Sequence, residues 1–219
     1  PHHERSSISH SITLTQPIWK SAVERNGKFF GISLTGTPAD CVKYASYYLL
    51  KDTPDLVVSG INPGPNDAAS VFYSGTIGGA REGALIGAQA IALSVNAFQD
   101  VRFDAAVWYG IKIAKFILRH PLPKGTFLNV NIPHKPRQAI KGIKMTRQGP
   151  GSIRTRFTER INPYGTPYLW MSGIMPRKRK EVVSDTDAVL HDFVAVTPLH
   201  CDQTDSTALE LLKKENLDF

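Results

Sequence analysis

The chain has 219 residues, of which 42% are apolar and 21% charged, a balance typical of one globular domain spanning 1–219. Its 17 Gly and 15 Pro exclude a collagen-like or low-complexity chain, and no apolar run is long enough to span a bilayer. The first residues lack the apolar centre of a signal peptide, and Cys41 and Cys201 stand far apart, which argues against a disulfide framework. We therefore expect a cytoplasmic protein.

Strand-like and helix-like patterns alternate from residue 29 onwards. Short apolar runs predict strands at 29–34, 55–59, 90–95, 126–132 and 193–199. Caps and three-and-four spacing of apolar residues predict helices at 38–50, 78–86, 104–119 and 206–215. Strands separated by helices favour βαβ units, so we predict an α/β three-layer sandwich with a mostly parallel, Rossmann-like sheet.

The composition changes after residue 133, where segments 140–148 and 156–173 become polar, aromatic and rich in turn residues. We interpret 140–180 as a protruding β-hairpin arm used for oligomerisation. Much of the net charge of +7 also falls there, including the run 177–180. That surplus is compatible with nucleic acid, a phosphorylated substrate or a solvated loop, and we favour attraction for phosphate over specific nucleic-acid binding.

The loop after the strand at 55–59 is the richest in candidate ligands. Ligands bind at the carboxyl ends of strands in open α/β sheets. Asn62 and Asn66 offer amide groups there, and Ser74, Gly75 and Thr76 precede a predicted helix. Hydroxyls and unpaired N–H groups at a helix N-terminus bind anions, so this segment predicts a phosphate site. The P-loop and dinucleotide fingerprints are both absent.

Several motifs in order resemble the SurE family of survival-protein nucleotidases. The matching segments are Glu4-Arg5-Ser6, His10-Ser11-Ile12-Thr13, the stretch 36–43, the stretch 55–62 with Gly64 and Asn66, Tyr73-Ser74-Gly75-Thr76 with Ala80, Glu82 and Gly83, and the segments 129–133, 146–148 and 196–199. Because they occur in the family's order from residue 1 to 199, chance similarity is a poor explanation.

The resemblance implies a metal-dependent phosphomonoesterase that hydrolyses nucleoside 5′- and 3′-monophosphates, often with some action on short polyphosphate. It implies one divalent cation per subunit, Mg²⁺ or Mn²⁺, held by Ser6, Asn62 and two adjacent aspartates. Oxygen ligands of this kind suit hard cations. We assign Ser74, Gly75 and Thr76 to phosphate and Asn66 to phosphate or water, and the resemblance implies a homodimer or homotetramer.

The sequence departs from the family in one respect: it contains no Asn-Asp-Asp-Gly segment upstream of the Arg-Ser motif. We expect that the first strand and helix of the family's domain are omitted, and we assign no catalytic residue. Asp67, Asp185 and Asp187 are not offered as replacements for the aspartate pair. A non-catalytic nucleotide- or phosphate-binding module is therefore the alternative.

Overall fold

A computed structural model describes residues 1–151, 154–174 and 184–215. Its strands are β1 (Lys20–Arg25), β2 (Lys28–Leu34), β3 (Leu56–Pro63), β4 (Gln89–Val95), β5 (Thr126–Ile132), β6 (Ile143–Met145), β7 (Arg154–Ile161), β8 (Pro167–Ile174) and β9 (Val194–His200). Its α-helices are α1 (Pro38–Lys43), which a π-helical stretch continues over Tyr44–Leu50, α2 (Ser70–Tyr73), α3 (Gly75–Leu85), α4 (Asp104–Arg119), α5 (Asp185–Leu190) and α6 (Ser206–Lys214). Within these ranges no helix has both the length and the apolar character needed to cross a membrane.

The central sheet has five strands in the order β3-β4-β5-β9-β6. Strands β3, β4 and β5 are parallel, β9 is antiparallel to β5, and β6 is parallel to β9. Helix α3 covers one face and α4 the other, because alternate residues of β4 point to opposite sides: Ala90 and Ala92 pack with α3, whereas Ile91, Leu93 and Val95 pack with α4. The predicted three-layer α/β sandwich is confirmed.

Helix α3 lies unusually close to β3 because small residues face the strand. A Cβ atom added to Gly83 would lie 2.7 Å from the Cβ of Val57, and one added to Gly79 would lie 2.7 Å from the Oγ of Ser59. Both distances are far below a normal contact. The helix therefore begins at the carboxyl edge of the sheet, directly beside the loop that leaves β3.

The predicted strand at 29–34 exists but does not join the central sheet, which corrects the assumed βαβ unit. It is β2, and it pairs antiparallel with β1, a strand that the periodicity had not suggested. Asn26 and Gly27 connect the two with positive φ angles of 52° and 68°. An Asn-Gly pair in this conformation forms the two-residue turn that favours a tight hairpin.

The segment 140–148 also needs correction. Instead of protruding, Ile143–Met145 forms the edge strand β6, and Ile140 is buried in the core against α4. Pairing with β9 adds this segment to the edge of the central sheet, where Met145 stays exposed. The protruding element is the hairpin of β7 and β8, whose β7 residues are all exposed. The predicted basic run 177–180 lies outside the described residues.

Candidate functional site

Asn62 lies where β3 meets the carboxyl edge of the sheet. It pairs in register with Ser94 of β4, and its side-chain amide donates a hydrogen bond of 2.8 Å to the carbonyl of Gly64. Gly64 has a φ of +102°, as expected for the sharp turn predicted there. The half-buried Asn62 side chain is therefore held by its NH₂ group, and its oxygen accepts no hydrogen bond from the described residues.

Asn66 occupies a buried network behind that loop. Its amide donates 2.8 Å to the Oγ of Ser94, and its backbone N–H donates 2.8 Å to the Oδ1 of Asn131. Its carbonyl accepts from the amides of Asn129, at 2.7 Å, and Asn131, at 3.1 Å. Asn66, which was predicted to bind phosphate, therefore uses its amide and backbone groups to hold the loop in place.

Asn129 and Asn131 were missed by the sequence reasoning. Both are fully buried and lie on the same face of β5 as Phe127, towards α3. The sequence did contain a signal for them: two asparagines occupy alternate positions of an otherwise apolar strand. Because a buried amide needs hydrogen-bond partners, this pattern indicates a polar network behind the strand.

The predicted phosphate segment forms the start of α3, three residues earlier than the periodicity indicated. Ser74 is the N-cap, and its Oγ accepts from the backbone N–H of Ile77 at 3.2 Å. The N–H groups of Gly75 and Thr76 make no hydrogen bond to the described residues. Ser74, Gly75 and Thr76 therefore place two hydroxyls and two backbone donors at the positive end of the helix dipole, an arrangement suited to an anion (the candidate anion site).

The N-terminal segment containing Ser6 lies against the first turns of α3. A Cβ atom added to Gly75 would lie 3.1 Å from the carbonyl oxygen of Arg5, and one added to Gly78 would lie 2.7 Å from that of Ser9. Ser9 also donates from its backbone N–H to the carbonyl of Tyr73 at 2.8 Å. The exposed Ser6, whose Oγ donates to Glu4 at 2.6 Å, is thereby brought beside the anion site.

The buried carboxylate of Glu82 connects this segment to two helices. Its Oε2 lies 2.8 Å from Nε2 of His10, and its Oε1 lies 2.7 Å from Nζ of Lys43 in α1. The hydrogen bond to Glu82 raises the pKa of Lys43. Because Glu82 itself belongs to α3, one carboxylate joins the N-terminal segment, α1 and α3.

Asp40 forms a second anchor of the same segment. Its carboxylate accepts hydrogen bonds from the backbone N–H and hydroxyl of Thr13, at 3.1 and 2.6 Å, and from the N–H of Thr37 at 2.8 Å. Burial acts to raise the pKa of Asp40, but these hydrogen bonds outweigh it and lower the pKa below 3.8.

Asp185 ties the Asn66 loop to the base of the β7–β8 hairpin. Its carboxylate accepts from the N–H groups of Ala68, at 3.1 Å, Gly149, at 2.8 Å, and Thr186, at 2.8 Å. Burial raises its pKa above 3.8, and the nearby charge of the fully buried Asp67 acts in the same direction, although the hydrogen bonds oppose both.

Comparison with known proteins identifies the family. The family model described as survival protein SurE matches residues 1–155. A protein named 5′-nucleotidase SurE from Syntrophobacter fumaroxidans is 40% identical over 217 residues, which cover 99% of this chain and 87% of that protein. Another of that name, from Symbiobacterium thermophilum, is 39% identical over 220 residues, with coverages of 100% and 86%. The chain belongs to the SurE family.

A solved structure supports the same assignment. The crystal structure of the SurE protein from Aquifex aeolicus superposes with a TM-score of 0.81 and 37% sequence identity, covering 95% of this chain and 84% of that one. The similarity covers nearly the whole chain and therefore includes the three-layer sandwich.

The residues present partly fit the cation that the SurE resemblance implies. Asn62 and Ser6 supply neutral oxygen donors of the type that Mg²⁺ and Mn²⁺ accept. In the part of the chain that the structure describes, no three His, Cys, Asp or Glu side chains are grouped so that they could hold a metal.

Because the carboxylate of Glu82 is buried, we expect its replacement to destabilise the folded protein. Glu82→Gln should lower the free energy of unfolding by about 1–3 kcal/mol, since hydrogen bonds to charged partners are lost inside the protein. Hydrogen exchange of residues 5–11 should accelerate at the same time. Urea unfolding and exchange mass spectrometry measure the two effects.

Glu210→Gln is the matched control. Glu210 lies 2.7 Å from Lys213, as close as Glu82 lies to Lys43, but both partners are exposed. Its loss should change the unfolding free energy by less than about 0.5 kcal/mol. Equal effects of the two substitutions would contradict the anchoring role of Glu82.

Asp40 predicts a pH dependence of stability. A carboxylate with a lowered folded-state pKa contributes stability above its unfolded value of 3.8 and loses it as the pH falls through the folded value. Asp40→Asn should therefore flatten the loss of unfolding free energy below about pH 4. Urea unfolding at a series of acid pH values measures this, and identical slopes in both proteins would rule it out.

Proposed function

We propose that this chain is a metal-dependent 5′-nucleotidase that hydrolyses nucleoside 5′- and 3′-monophosphates, and to a lesser extent short polyphosphate. The observation that carries the proposal is the anion site of Ser74, Gly75 and Thr76. Asn62, on the neighbouring loop, offers its side-chain oxygen as a ligand for a cation. Relatives named 5′-nucleotidase SurE, about 40% identical over nearly the whole chain, support it.

The anion site provides the electrostatic part of the reaction. The N–H groups of Gly75 and Thr76 and the hydroxyls of Ser74 and Thr76 are donors aimed at phosphate oxygens from the positive end of α3. Donors fixed in advance need no reorganisation when negative charge develops on the transferring group, which is why such groups contribute strongly to catalysis. The oxygen of Ser74 accepts from Ile77, so its hydrogen remains available to a phosphate.

Ser6 and Asn62 would hold the cation together with the aspartate pair that the family resemblance implies. A bound Mg²⁺ or Mn²⁺ supplies charge that polarises the phosphoryl group. The chain's own contribution is to orient these donors: Asn62 through its bond to Gly64, and Ser6 through the anchoring of its segment by His10 and Asp40.

Removal of the Asn62 side chain tests the proposal. In the full-length protein, Asn62→Ala should reduce hydrolysis of adenosine 5′-monophosphate by at least about 100-fold, while thermal unfolding stays within a few degrees. The side chain is half-buried, and among the described residues it makes one hydrogen bond, which is local. Binding of Mn²⁺ by calorimetry should weaken in parallel.

Chelation provides the companion measurement. EDTA should stop turnover, and added Mn²⁺ or Mg²⁺ should restore it. Turnover that is indifferent to chelator would contradict metal dependence. Tight binding of the nucleotide with no release of phosphate under any metal would favour the non-catalytic binding module instead.

We also propose that the β7–β8 hairpin joins two or more copies of this chain as a homodimer or homotetramer. The hairpin exposes large apolar side chains, namely Phe157, Ile161, Leu169, Trp170 and Met171, each at least 59% accessible. A two-stranded ribbon of this kind is marginal in water without a covering layer, so a second copy would stabilise it.

Replacement of the central apolar residue tests this assembly. Trp170→Glu should shift the full-length protein to a smaller species in sedimentation velocity, since a charge would be buried at the interface. Leu211→Glu is the control, because Leu211 is similarly exposed on α6. A monomer in the unsubstituted protein, or an equal shift in both variants, would contradict the role of the hairpin.

A further inference from the structure

The loop 96–103, which connects β4 to α4, places one aromatic side chain beside the candidate site. Strands β3 and β4 pair Asn62 with Ser94, so residues that follow Ser94 emerge next to the Asn62 loop. Phe98 is the fourth of these residues. A Cβ atom added to Gly64 would lie only 2.6 Å from Cε1 of Phe98, which means that the edge of the ring rests on the backbone of that loop.

Phe98 combines a fixed position with an open face. Its side chain is 79% exposed, among the highest values for a large apolar residue in the described part of the chain. The surrounding loops are nevertheless tied down. The N–H of Gly64 donates to the carbonyl of Val95 at 2.9 Å, and the N–H of Asn96 donates to that of Ile132 at 2.9 Å. The far end is held by Arg102, whose N–H donates to Nε2 of His134 at 3.0 Å.

An exposed phenylalanine contributes little to folding, because burial of apolar surface is what stabilises the folded state. Its exposed face is suited to a planar, aromatic ligand. The side of the anion site near Phe72 and Tyr73 is occupied by the N-terminal segment, since Ser9 bonds to the carbonyls of both residues. Phe98 instead lies against Gly64, on the loop that carries Asn62.

We propose that the exposed face of Phe98 is a platform on which the base of the nucleotide substrate stacks. This inference rests on the proposed nucleotidase function and adds the element that recognises the nucleoside. Stacking uses the π face that every base has, so Phe98 should favour nucleotides over phosphomonoesters without an aromatic ring while discriminating weakly among bases.

Two substrates separate this role from a general role in the site. In the full-length protein, Phe98→Ala should raise KM for adenosine 5′-monophosphate about tenfold, equivalent to about 1.4 kcal/mol. KM for glycerol 2-phosphate, which has no base, should change less than about twofold. Phe98→Trp should keep the nucleotide KM near that of the unsubstituted protein, whereas Phe98→Leu should behave like the alanine variant.

Phe29→Ala is the matched control, because Phe29 is 69% exposed on the β1–β2 hairpin. It should leave both KM values unchanged. Equal increases of KM for the two substrates in Phe98→Ala would show that the ring only supports the Gly64 loop, and an unchanged nucleotide KM would show that it does not contact the base. Either result overturns the inference.

Equilibrium binding distinguishes this failure from failure of the proposed function. Calorimetry should show weaker binding of adenosine 5′-monophosphate to Phe98→Ala and unchanged binding of inorganic phosphate. If the unsubstituted full-length protein turned over neither substrate, the nucleotidase proposal would fail, and the binding comparison would still decide whether Phe98 stacks on the base.

Discussion

The position of α3 relative to β3 and the N-terminal segment is the constraint on which the rest of the site depends. Four glycines of the helix contact other segments closely: a methyl group would collide with a neighbour at Gly78, Gly79 and Gly83 and would be tightly packed at Gly75. Two of these contacts are with β3 and two are with the segment that carries Ser6. Each glycine in a helix interior destabilises the helix by about 1 kcal/mol relative to alanine. The glycines of α3 lower its helix propensity, but they allow the helix to lie close to β3 and the N-terminal segment.

Close approach needs polar groups that hold the surrounding loops without leaving buried atoms unsatisfied. The Asn66 loop is fixed by the amides of Asn129 and Asn131, which donate to its carbonyl while Asn131 also accepts from its N–H. Glu82 performs the same task for the N-terminal segment through Lys43 and the ring of His10. A fully satisfied network specifies one arrangement, and an incomplete one would cost more than an apolar core.

The sequence predicted the sandwich well because its signals were local. The stripe on α4, the capping box at Thr37 and Asp40, and the loop after β3 are all read within a few residues. The same reasoning missed β1, although Asn26-Gly27 is a strong hairpin signal, and it missed β6, whose three residues become a strand only by pairing with β9. Such pairing depends on residues far along the chain, which periodicity cannot detect.

The candidate site divides in the same way between local and distant information. Ser74, Gly75 and Thr76 could be identified because a cap and a helix start are local patterns, whereas the partner of Glu82 lies 72 positions away in His10. The residues that hold the site, such as Glu82 and Asp40, are buried and were identified by the structure. The proposed ligand-facing groups range from the buried Ser74 to the exposed Ser6 and Phe98. An exposed side chain can be replaced at little cost in stability, whereas a buried polar anchor cannot, so substitutions of Ser6 or Phe98 test function without disturbing the scaffold.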